Sequence, residues 1–89
     1  MIKMKLELFK FDSCPYCQKV MRYIDSVGIE GIIYLDTQKD AGAKDRLVAE
    51  GGKYQVPCLF IDGKPLYESD DIIAFLKELA KALDEMAAE

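Results

Sequence analysis

Residues 5–28 read KLELFKFDSCPYCQKVMRYIDSVG and join a strand pattern directly to a helix pattern. Polar and apolar residues alternate over residues 5–11, which is the period-2 pattern of a half-buried strand. From Pro15 onward, apolar residues recur every three or four positions until Gly28. Proline suits the first turn of a helix because its missing N–H would be unpaired there, and glycine suits the left-handed cap. The stretch therefore predicts a strand and a helix with a C-x-x-C pair at their junction.

The remainder of the chain carries three more strand patterns and two more helix patterns. The strands are predicted at residues 31–36, 56–61 and 64–68, and the helices at residues 40–50 and from Ser69 onward. The β-branched run at residues 31–36 predicts a buried strand, parallel to the first strand because a helix connects them. Asp62-Gly63 is a two-residue hairpin signal, so the last two strands are expected to be antiparallel. The predicted order is β-α-β-α-β-β-α, an α/β, thioredoxin-like architecture in which three helices flank a four-stranded mixed sheet.

Length and composition limit the range of functions. With 51% hydrophobic and 31% charged residues, residues 1–89 are expected to fold as one domain. The formal net charge of −4 without any His leaves no broad basic field for phosphates, so no nucleic-acid partner is expected. At the start of the chain, MIKMK, apolar and charged residues alternate, and no long apolar run follows. Neither a membrane span nor secretion is therefore expected. The expected protein is a cytoplasmic monomer.

Basic residues are concentrated around the two neighbouring cysteines. Residues 1–28 carry five Lys or Arg against three Asp or Glu, a balance of +2, which leaves −6 for the remainder of the chain. A solvated surface of mixed charge explains this distribution. Alternatively, Lys10, Lys19 or Arg22 lies close to a cysteine and stabilises its thiolate.

Cys14 and Cys17 are the candidate catalytic residues. Disulfide exchange requires a thiolate, yet a free cysteine has a pKa of about 8.5 and is mostly protonated at neutral pH. At the start of a helix, unpaired backbone N–H groups and the positive end of the helix dipole stabilise an anion, which favours Cys14 as the attacking sulfur. Cys17 lies one turn further in, so it suits the resolving role, in which it attacks the mixed disulfide formed on Cys14.

A C-x-x-C pair also binds metals, but a tetrahedral zinc site needs four ligands. The chain has no His and only one further cysteine, Cys58, so one chain cannot complete such a site and no metal is expected. A bridging iron–sulfur cluster, with ligands from two chains or from added thiols, stays open, although Pro15 stiffens the turn. Cys58 is interpreted as a small buried residue facing away from Pro57, or alternatively as a regulatory thiol.

Two further segments are candidate binding elements. Val56-Pro57 opens a strand, either as an ordinary strand-start proline or with a cis bond that leaves the Val56 backbone open to an extended thiol beside Cys14. Ser69 caps the last helix, whose first turn holds Asp70 and Asp71, and the same helix end suits an α-amino acid head group, whose ammonium Asp70 would bind. Tyr16 is either a wall of the ligand site or a surface aromatic residue.

Three motifs occur in order along the chain, namely Cys14-Pro15-Tyr16-Cys17, Val56-Pro57 and Glu68-Ser69-Asp70-Asp71. In this combination the chain resembles the glutaredoxin family over nearly its whole length, and Pro-Tyr between the cysteines is similar to its dithiol members. The resemblance implies an enzyme that reduces protein disulfides and glutathione mixed disulfides. Its partners would be glutathione, as co-substrate, and disulfide-containing client proteins, with no bound cofactor. The implied glutathione groove is lined by Tyr16, Val56, cis Pro57, Glu68, Ser69 and Asp70.

The chain departs from the family pattern at two places. Phe11 stands where a Lys or Arg usually precedes the first cysteine by three residues, which removes a partner for the glycyl carboxylate of glutathione. Tyr67-Glu68 stands where a Gly-Gly pair often precedes the last helix, and Glu68-Ser69 is similar to the branch related to glutathione S-transferase amino-terminal domains. A redoxin served by a thioredoxin-type reductase is therefore the second hypothesis, and a non-catalytic cluster carrier is the third.

Overall fold

The strands and helices follow the predicted order. The computed structural model describes residues 4–87, so residues 1–3 of the charged start and residues 88–89 lie outside the described residues. The strands are β1 (Leu6–Lys10), β2 (Ile33–Asp36), β3 (Cys58–Ile61) and β4 (Lys64–Tyr67), and the helices are α1 (Pro15–Val27), α2 (Ala41–Gly51) and α3 (Ser69–Ala87). None of the helices within residues 4–87 is long and apolar enough to cross a membrane.

Local signals set the boundaries of α1 and α2. Pro15 is the first residue of α1, and Gly28 ends the helix in the left-handed conformation with a φ of 71°. Asp40 caps α2 because its carboxylate accepts two backbone N–H groups of the first turn, and Gly52 ends that helix with a φ of 92°. Helix α2 therefore lies one residue later in the chain than the predicted residues 40–50.

The four strands form one mixed sheet in the order β2-β1-β3-β4. β1 is parallel to β2 and antiparallel to β3, and β4 returns antiparallel to β3. Both predicted pairings are thus confirmed. Because Phe9 near the end of β1 is opposite Cys58 at the start of β3, the turn after β1 and the loop before β3 meet at the same end of the strands.

β2 is an edge strand, which corrects the prediction of a buried strand at residues 31–36. Ile33 and Tyr34 are 46% and 42% exposed, respectively, and only Ile33–Asp36 pair with β1. An apolar, β-branched run has the same composition in the centre of a sheet as at its edge. The order of the strands in the sheet decides whether β2 is exposed, and the composition of the run does not reveal that order.

Two apolar clusters pack against opposite faces of the sheet. Leu8 of β1 belongs to the cluster that includes Val20 of α1 and Leu76 of α3. Phe9 belongs to the second cluster, on the side of α2, together with Leu47. The first cluster anchors α1 to the sheet, and this packing holds the start of α1 at the end of the strands where the turn after β1 meets the loop before β3.

β1 is covered on both faces, which corrects the prediction of a half-buried strand. Glu7 is 3% exposed and faces α2, where its two carboxylate oxygens accept hydrogen bonds from the Arg46 guanidinium. The Nη2 atom of Arg46 lies 2.8 Å from Oε1 of Glu7. This hydrogen-bonded pairing lowers the pKa of Glu7 from its usual value. Glu7, the polar residue in the strand pattern, therefore belongs to a buried ion pair and does not face solvent.

Candidate active site

Cys14 occupies the N-cap position of α1. Its backbone is extended, with φ −77° and ψ 117°, and its carbonyl accepts the first helical hydrogen bond from Gln18 at 2.9 Å. The Sγ atom accepts the backbone N–H of Cys17 at 3.3 Å. The sulfur thus takes the role that a Ser or Asp oxygen usually has at a helix start, where N–H groups favour an anion.

Cys17 is the more enclosed of the two cysteines, with no exposed surface against 6% for Cys14. Burial raises the pKa of the Cys17 thiol to about 12, and its hydrogen bond to Cys14 and the charge of Cys14 add to this effect. The backbone of Phe11 and the ammonium of Lys10 act in the opposite direction. At neutral pH Cys17 is therefore a protonated thiol that faces the sulfur of Cys14.

These environments predict which cysteine an alkylating reagent modifies. Burial also raises the pKa of Cys58, to about 11, so neither Cys58 nor Cys17 forms appreciable thiolate at pH 7. We expect iodoacetamide at pH 7 to modify the native reduced protein at Cys14 alone, as read by mass spectrometry of its peptides. Cys14→Ser is the control and should stay unmodified. Comparable labelling of Cys17 would contradict this assignment.

Two of the three cations predicted near the cysteines, Lys10 and Lys19, are paired with carboxylates. Lys10 is only partly exposed, and its Nζ lies 2.7 Å from Asp12 Oδ1 and 3.5 Å from Asp36 Oδ2. The hydrogen bond to Asp12 is the largest cause of the raised pKa of Lys10. Lys39 binds the second oxygen of Asp12 at 2.9 Å. Lys10 therefore contributes a shielded positive charge to the surroundings of Cys17.

A groove of about 440 Å³ lies beside the C-x-x-C turn. Its lining residues are Tyr16, Gln55, Val56, Pro57, Glu68, Ser69 and Asp70. The structure thus brings together all six residues that the resemblance implied for one groove. Gln55 was not predicted, although its position directly before Val56 in the same loop is a signal that was present in the sequence. Tyr16, 64% exposed, links the groove to the turn that holds Cys14.

The peptide bond between Val56 and Pro57 is cis, as the family resemblance implied. Pro57 is buried, and β3 begins at the next residue, Cys58. Val56 therefore precedes the paired part of the strand and lies at the groove, with its backbone outside the ladder.

The start of α3 corrects the prediction that Ser69 caps the helix. The carbonyl of Glu68 accepts the Ile72 N–H at 3.0 Å, so the first helical hydrogen bond belongs to Glu68 and Ser69 is already helical. Glu68 has a φ of 72°, in the left-handed region, and this turn redirects the chain from β4 into the helix. Asp70 follows in the first turn of α3, as predicted.

Cys58 lies on the α2 side of the sheet in the cluster of Phe9, Leu47 and Phe60. It has no exposed surface, which agrees with its interpretation as a small buried residue. Within residues 4–87, no group of three or more His, Cys, Asp or Glu side chains is arranged to hold a metal ion. An iron–sulfur cluster at Cys14 and Cys17 would therefore need ligands from outside the described part of the chain.

Comparisons with known proteins agree with this arrangement. The glutaredoxin family model matches residues 6–66. Glutaredoxin-C4 of Arabidopsis thaliana is 36% identical over 85 residues, which cover 89% of this chain but only 62% of the relative. The crystal structure of wheat glutaredoxin superposes with a TM-score of 0.68 at 26% identity, covering 90% of this chain and 79% of the wheat chain.

A glutathione S-transferase from the housefly Musca domestica shares the fold, with a TM-score of 0.68 at 22% identity over 85% of this chain and 35% of the transferase. The thioredoxin-like architecture predicted from the element order is therefore confirmed. The family model covers well over half of the chain, and the C-x-x-C pair stands at a strand-to-helix junction, the context of a redox motif. The chain belongs to the glutaredoxin family, and this assignment supports thiol–disulfide oxidoreductase activity.

Proposed function

We propose that this protein reduces protein disulfides and glutathione mixed disulfides through Cys14 and Cys17. The observation that carries the proposal is the Cys14 sulfur at the N-cap of α1, which accepts a backbone N–H at 3.3 Å in a turn that borders a groove. N–H donors at a helix start stabilise a thiolate, and the thiolate is the species that attacks disulfides. Cys14 is accordingly the proposed nucleophile.

The reaction proceeds in two exchanges. The Cys14 thiolate bonds to one sulfur of the substrate disulfide, and the other sulfur leaves as a thiolate that takes up a proton. Cys17 or a glutathione thiolate then attacks the Cys14 sulfur and releases the bound thiol. Bonding of Cys14 removes the negative charge that helped to raise the pKa of Cys17, so the resolving thiol ionises more readily at this stage.

Glutathione is the proposed co-substrate, and three features of the groove support it. Val56 offers backbone groups outside the β3 ladder to a peptide-like ligand, Tyr16 forms one wall, and Ser69 and Asp70 begin α3. The unpaired N–H groups of a helix start bind carboxylates, and the Asp70 carboxylate suits an ammonium. The groove therefore has a complementary group for each end of an α-amino acid.

The composition of the groove supports a second candidate, a redoxin that receives electrons from a thioredoxin-type reductase. The residues that line the groove within the described chain include no Lys or Arg, and Phe11 stands at the position of the usual cation. A tripeptide with two carboxylates thus lacks side-chain cations in this groove. A protein donor that presents its own disulfide or dithiol does not need them.

Three further properties belong to the proposal. Residues 1–89 act as one domain, because the sheet and both apolar clusters draw on elements from β1 to α3. The protein works as a monomer without a bound cofactor, since both proposed reactive sulfurs come from one turn. The cytoplasm is the proposed compartment, because three cysteines with a C-x-x-C pair suit a reducing environment.

A coupled assay tests the proposed donor. The protein is supplied with the mixed disulfide of glutathione and 2-mercaptoethanol, and NADPH consumption is followed with glutathione plus glutathione reductase, then with thioredoxin reductase alone. We expect turnover in the first system. Turnover confined to the second system would replace glutathione by a reductase as donor, and inactivity in both would contradict the proposed function.

Cys17→Ser is expected to retain turnover of the glutathione mixed disulfide and to lose turnover of an intramolecular protein disulfide such as that of insulin. The first reaction needs only Cys14 and a second glutathione, whereas the second needs Cys17 to release the client. Cys58→Ala, on the other face of the sheet, is the matched control and should retain both activities. Loss of both activities in Cys17→Ser would contradict the assigned resolving role.

A further inference from the structure

One wall of the groove belongs to the loop that connects α2 to β3. The loop comprises residues 52–57, and Gln55, Val56 and Pro57 line the groove. Within the described residues 4–87, residues 53–56 take part in no backbone–backbone hydrogen bond. The position of the Val56 backbone therefore depends on the contacts that side chains make with this loop.

The Tyr67 side chain holds the first half of the loop. Its ring packs on the α2 side of the sheet, and its hydroxyl donates to the Lys53 carbonyl at 3.1 Å. The Lys53 ammonium lies 4.5 Å from the centroid of the Tyr67 ring, so the two residues also attract each other through this second contact. Burial raises the pKa of the Tyr67 hydroxyl, which therefore stays protonated at neutral pH and remains a donor.

Glycine at residue 51 leaves the space that the Tyr67 hydroxyl occupies. A Cβ atom at Gly51, the last residue of α2, would overlap this hydroxyl and would lie 3.3 Å from Leu47 Cδ1. A larger residue at position 51 would therefore push the hydroxyl away from the Lys53 carbonyl. Tyr67 stands at one of the positions where the family pattern often has the Gly-Gly pair, and glycine has no hydroxyl to offer. The contact is thus a feature of this chain.

The last two of these residues before Val56 are held by one contact each. The Tyr54 hydroxyl lies 3.0 Å from that of Thr37, and Gln55 Nε2 donates to Glu68 Oε1 at 3.1 Å. Glu68 and Gln55 are long side chains that lose rotamer freedom when they pair, whereas packing already fixes the Tyr67 ring. Tyr67 is therefore the more rigid of the two supports that reach the loop from the end of β4.

We infer that Tyr67 is a positioning residue, whose hydroxyl fixes the loop that presents the Val56 backbone to a peptide-like adduct. The inference rests on the proposed attack by Cys14, and it adds a residue that determines how well the groove holds the adduct. Within the described chain Tyr67 is not part of the groove lining, so it acts through the loop. Cys14 begins α1, which packs on the other face of the sheet, so its thiolate does not depend on Tyr67.

The test compares two disulfides that differ in the group transferred to Cys14. One joins 2-thiopyridine to glutathione, and the other joins 2-thiopyridine to 2-mercaptoethanol, which has no peptide group. The Cys14 thiolate bonds to the sulfur of glutathione or mercaptoethanol, and 2-thiopyridone leaves with the electron pair of the broken S–S bond. Reduced protein is kept in excess, so no added reductant takes part, and the absorbance of released 2-thiopyridone gives the second-order rate constant.

Tyr67→Phe is expected to lower the rate constant for the glutathione disulfide about fivefold, which is the size of one neutral hydrogen bond. The rate constant for the mercaptoethanol disulfide should stay unchanged, as should the rate at which iodoacetamide alkylates Cys14 at pH 7. A merely structural role would not separate the two disulfides in this way. Gly51→Ala should show the same selective loss, although alanine favours a helix more than glycine does.

Tyr34→Phe is the matched control, because it removes the same hydroxyl from β2, at the opposite edge of the sheet from β4. It should keep the native rate constants for both disulfides. An unchanged rate constant for the glutathione disulfide in Tyr67→Phe or in Gly51→Ala, or equal losses for both disulfides, would overturn the inference alone. A native protein that reacts with neither disulfide would overturn the proposed function and the inference with it.

Discussion

Cys14→Ser is expected to lower disulfide exchange at least about 1000-fold, because a serine hydroxyl is a far weaker nucleophile and cannot form the intermediate disulfide. The helix start and the groove are unchanged in this variant, so the loss isolates the sulfur itself. The measurement is the initial rate in the glutathione mixed-disulfide assay, together with mass spectrometry of the covalent adduct on the protein. Cys17→Ser, which lacks the resolving thiol, should carry the adduct at residue 14, and Cys14→Ser should carry none.

The Cys58→Ala variant controls for the removal of a thiol in general. Cys58 packs against Phe9 and Phe60 on the α2 side of the sheet, and its pKa is raised to about 11 by burial. We expect this variant to keep its exchange rate, with a modest loss of stability from the small cavity. Persistent exchange in Cys14→Ser, at rates near those of the native protein, would contradict the assignment of the nucleophile.

Arg46→Met is expected to lower the free energy of unfolding by about 3 kcal/mol, because the buried Glu7 carboxylate loses the guanidinium that binds both of its oxygens and keeps only the exposed Lys5 ammonium at 3.9 Å. Glu7 is 3% exposed in the central strand β1, and Arg46 from α2 binds both of its oxygens. The guanidinium also lies 5.6 Å and 5.5 Å from the ring centroids of Phe9 and Phe60. Methionine keeps much of the apolar stem, so the change tests mainly the charge. Urea denaturation at pH 7 measures the effect.

Two variants control this measurement. Lys39→Met breaks a solvent-exposed pair with Asp12, whose side chains are 73% and 60% exposed, and should change the free energy of unfolding far less than Arg46→Met because water screens exposed charges. Glu7→Leu combined with Arg46→Met removes both charges and should recover most of the lost stability, since an apolar pair of similar volume often replaces a buried ion pair without loss. A cost for Arg46→Met no greater than that for Lys39→Met would contradict the importance of the buried pair.

The pH dependence of stability provides an independent signature of the same pair. The lowered pKa of Glu7 contributes stability above the unfolded value of about 4.3, and this contribution is lost as the pH falls through the folded value. In Arg46→Met the buried carboxylate keeps only the exposed Lys5 ammonium at 3.9 Å, so we expect burial to raise its pKa and the variant to gain stability as the pH falls. The difference between the native protein and the variant should therefore narrow from pH 7 to pH 4.

The helix that carries the reactive turn was predictable because its signals are local. Pro15 at its first position, apolar residues every three or four positions, and Gly28 as its left-handed end all act within a few residues of chain. The hairpin at Asp62-Gly63 was predictable for the same reason. The cap of α3 was assigned to Ser69, one residue too late, because the left-handed turn at Glu68 lets its carbonyl accept the first helical hydrogen bond.

Strand environments were not predictable, because they depend on neighbours that are distant along the chain. The apolar run in β2 is exposed since β2 lies at the sheet edge, and Glu7 is buried since Arg46 reaches it from α2. Alternation in a strand indicates that its two faces differ. It does not indicate whether the polar face meets water or a partner of opposite charge.

The amino-acid sequence by itself determined the order of the elements, the position of Cys14 at a helix start and the identity of the two cysteines, because turn, cap and periodicity signals act over a few residues. Only the tertiary structure decided that the turn after β1, the loop before β3 and the start of α3 form one groove with an acidic lining. The physical reason is the strand order, since pairing of the end of β1 with the start of β3 places Phe9 opposite Cys58, about fifty residues further along the chain.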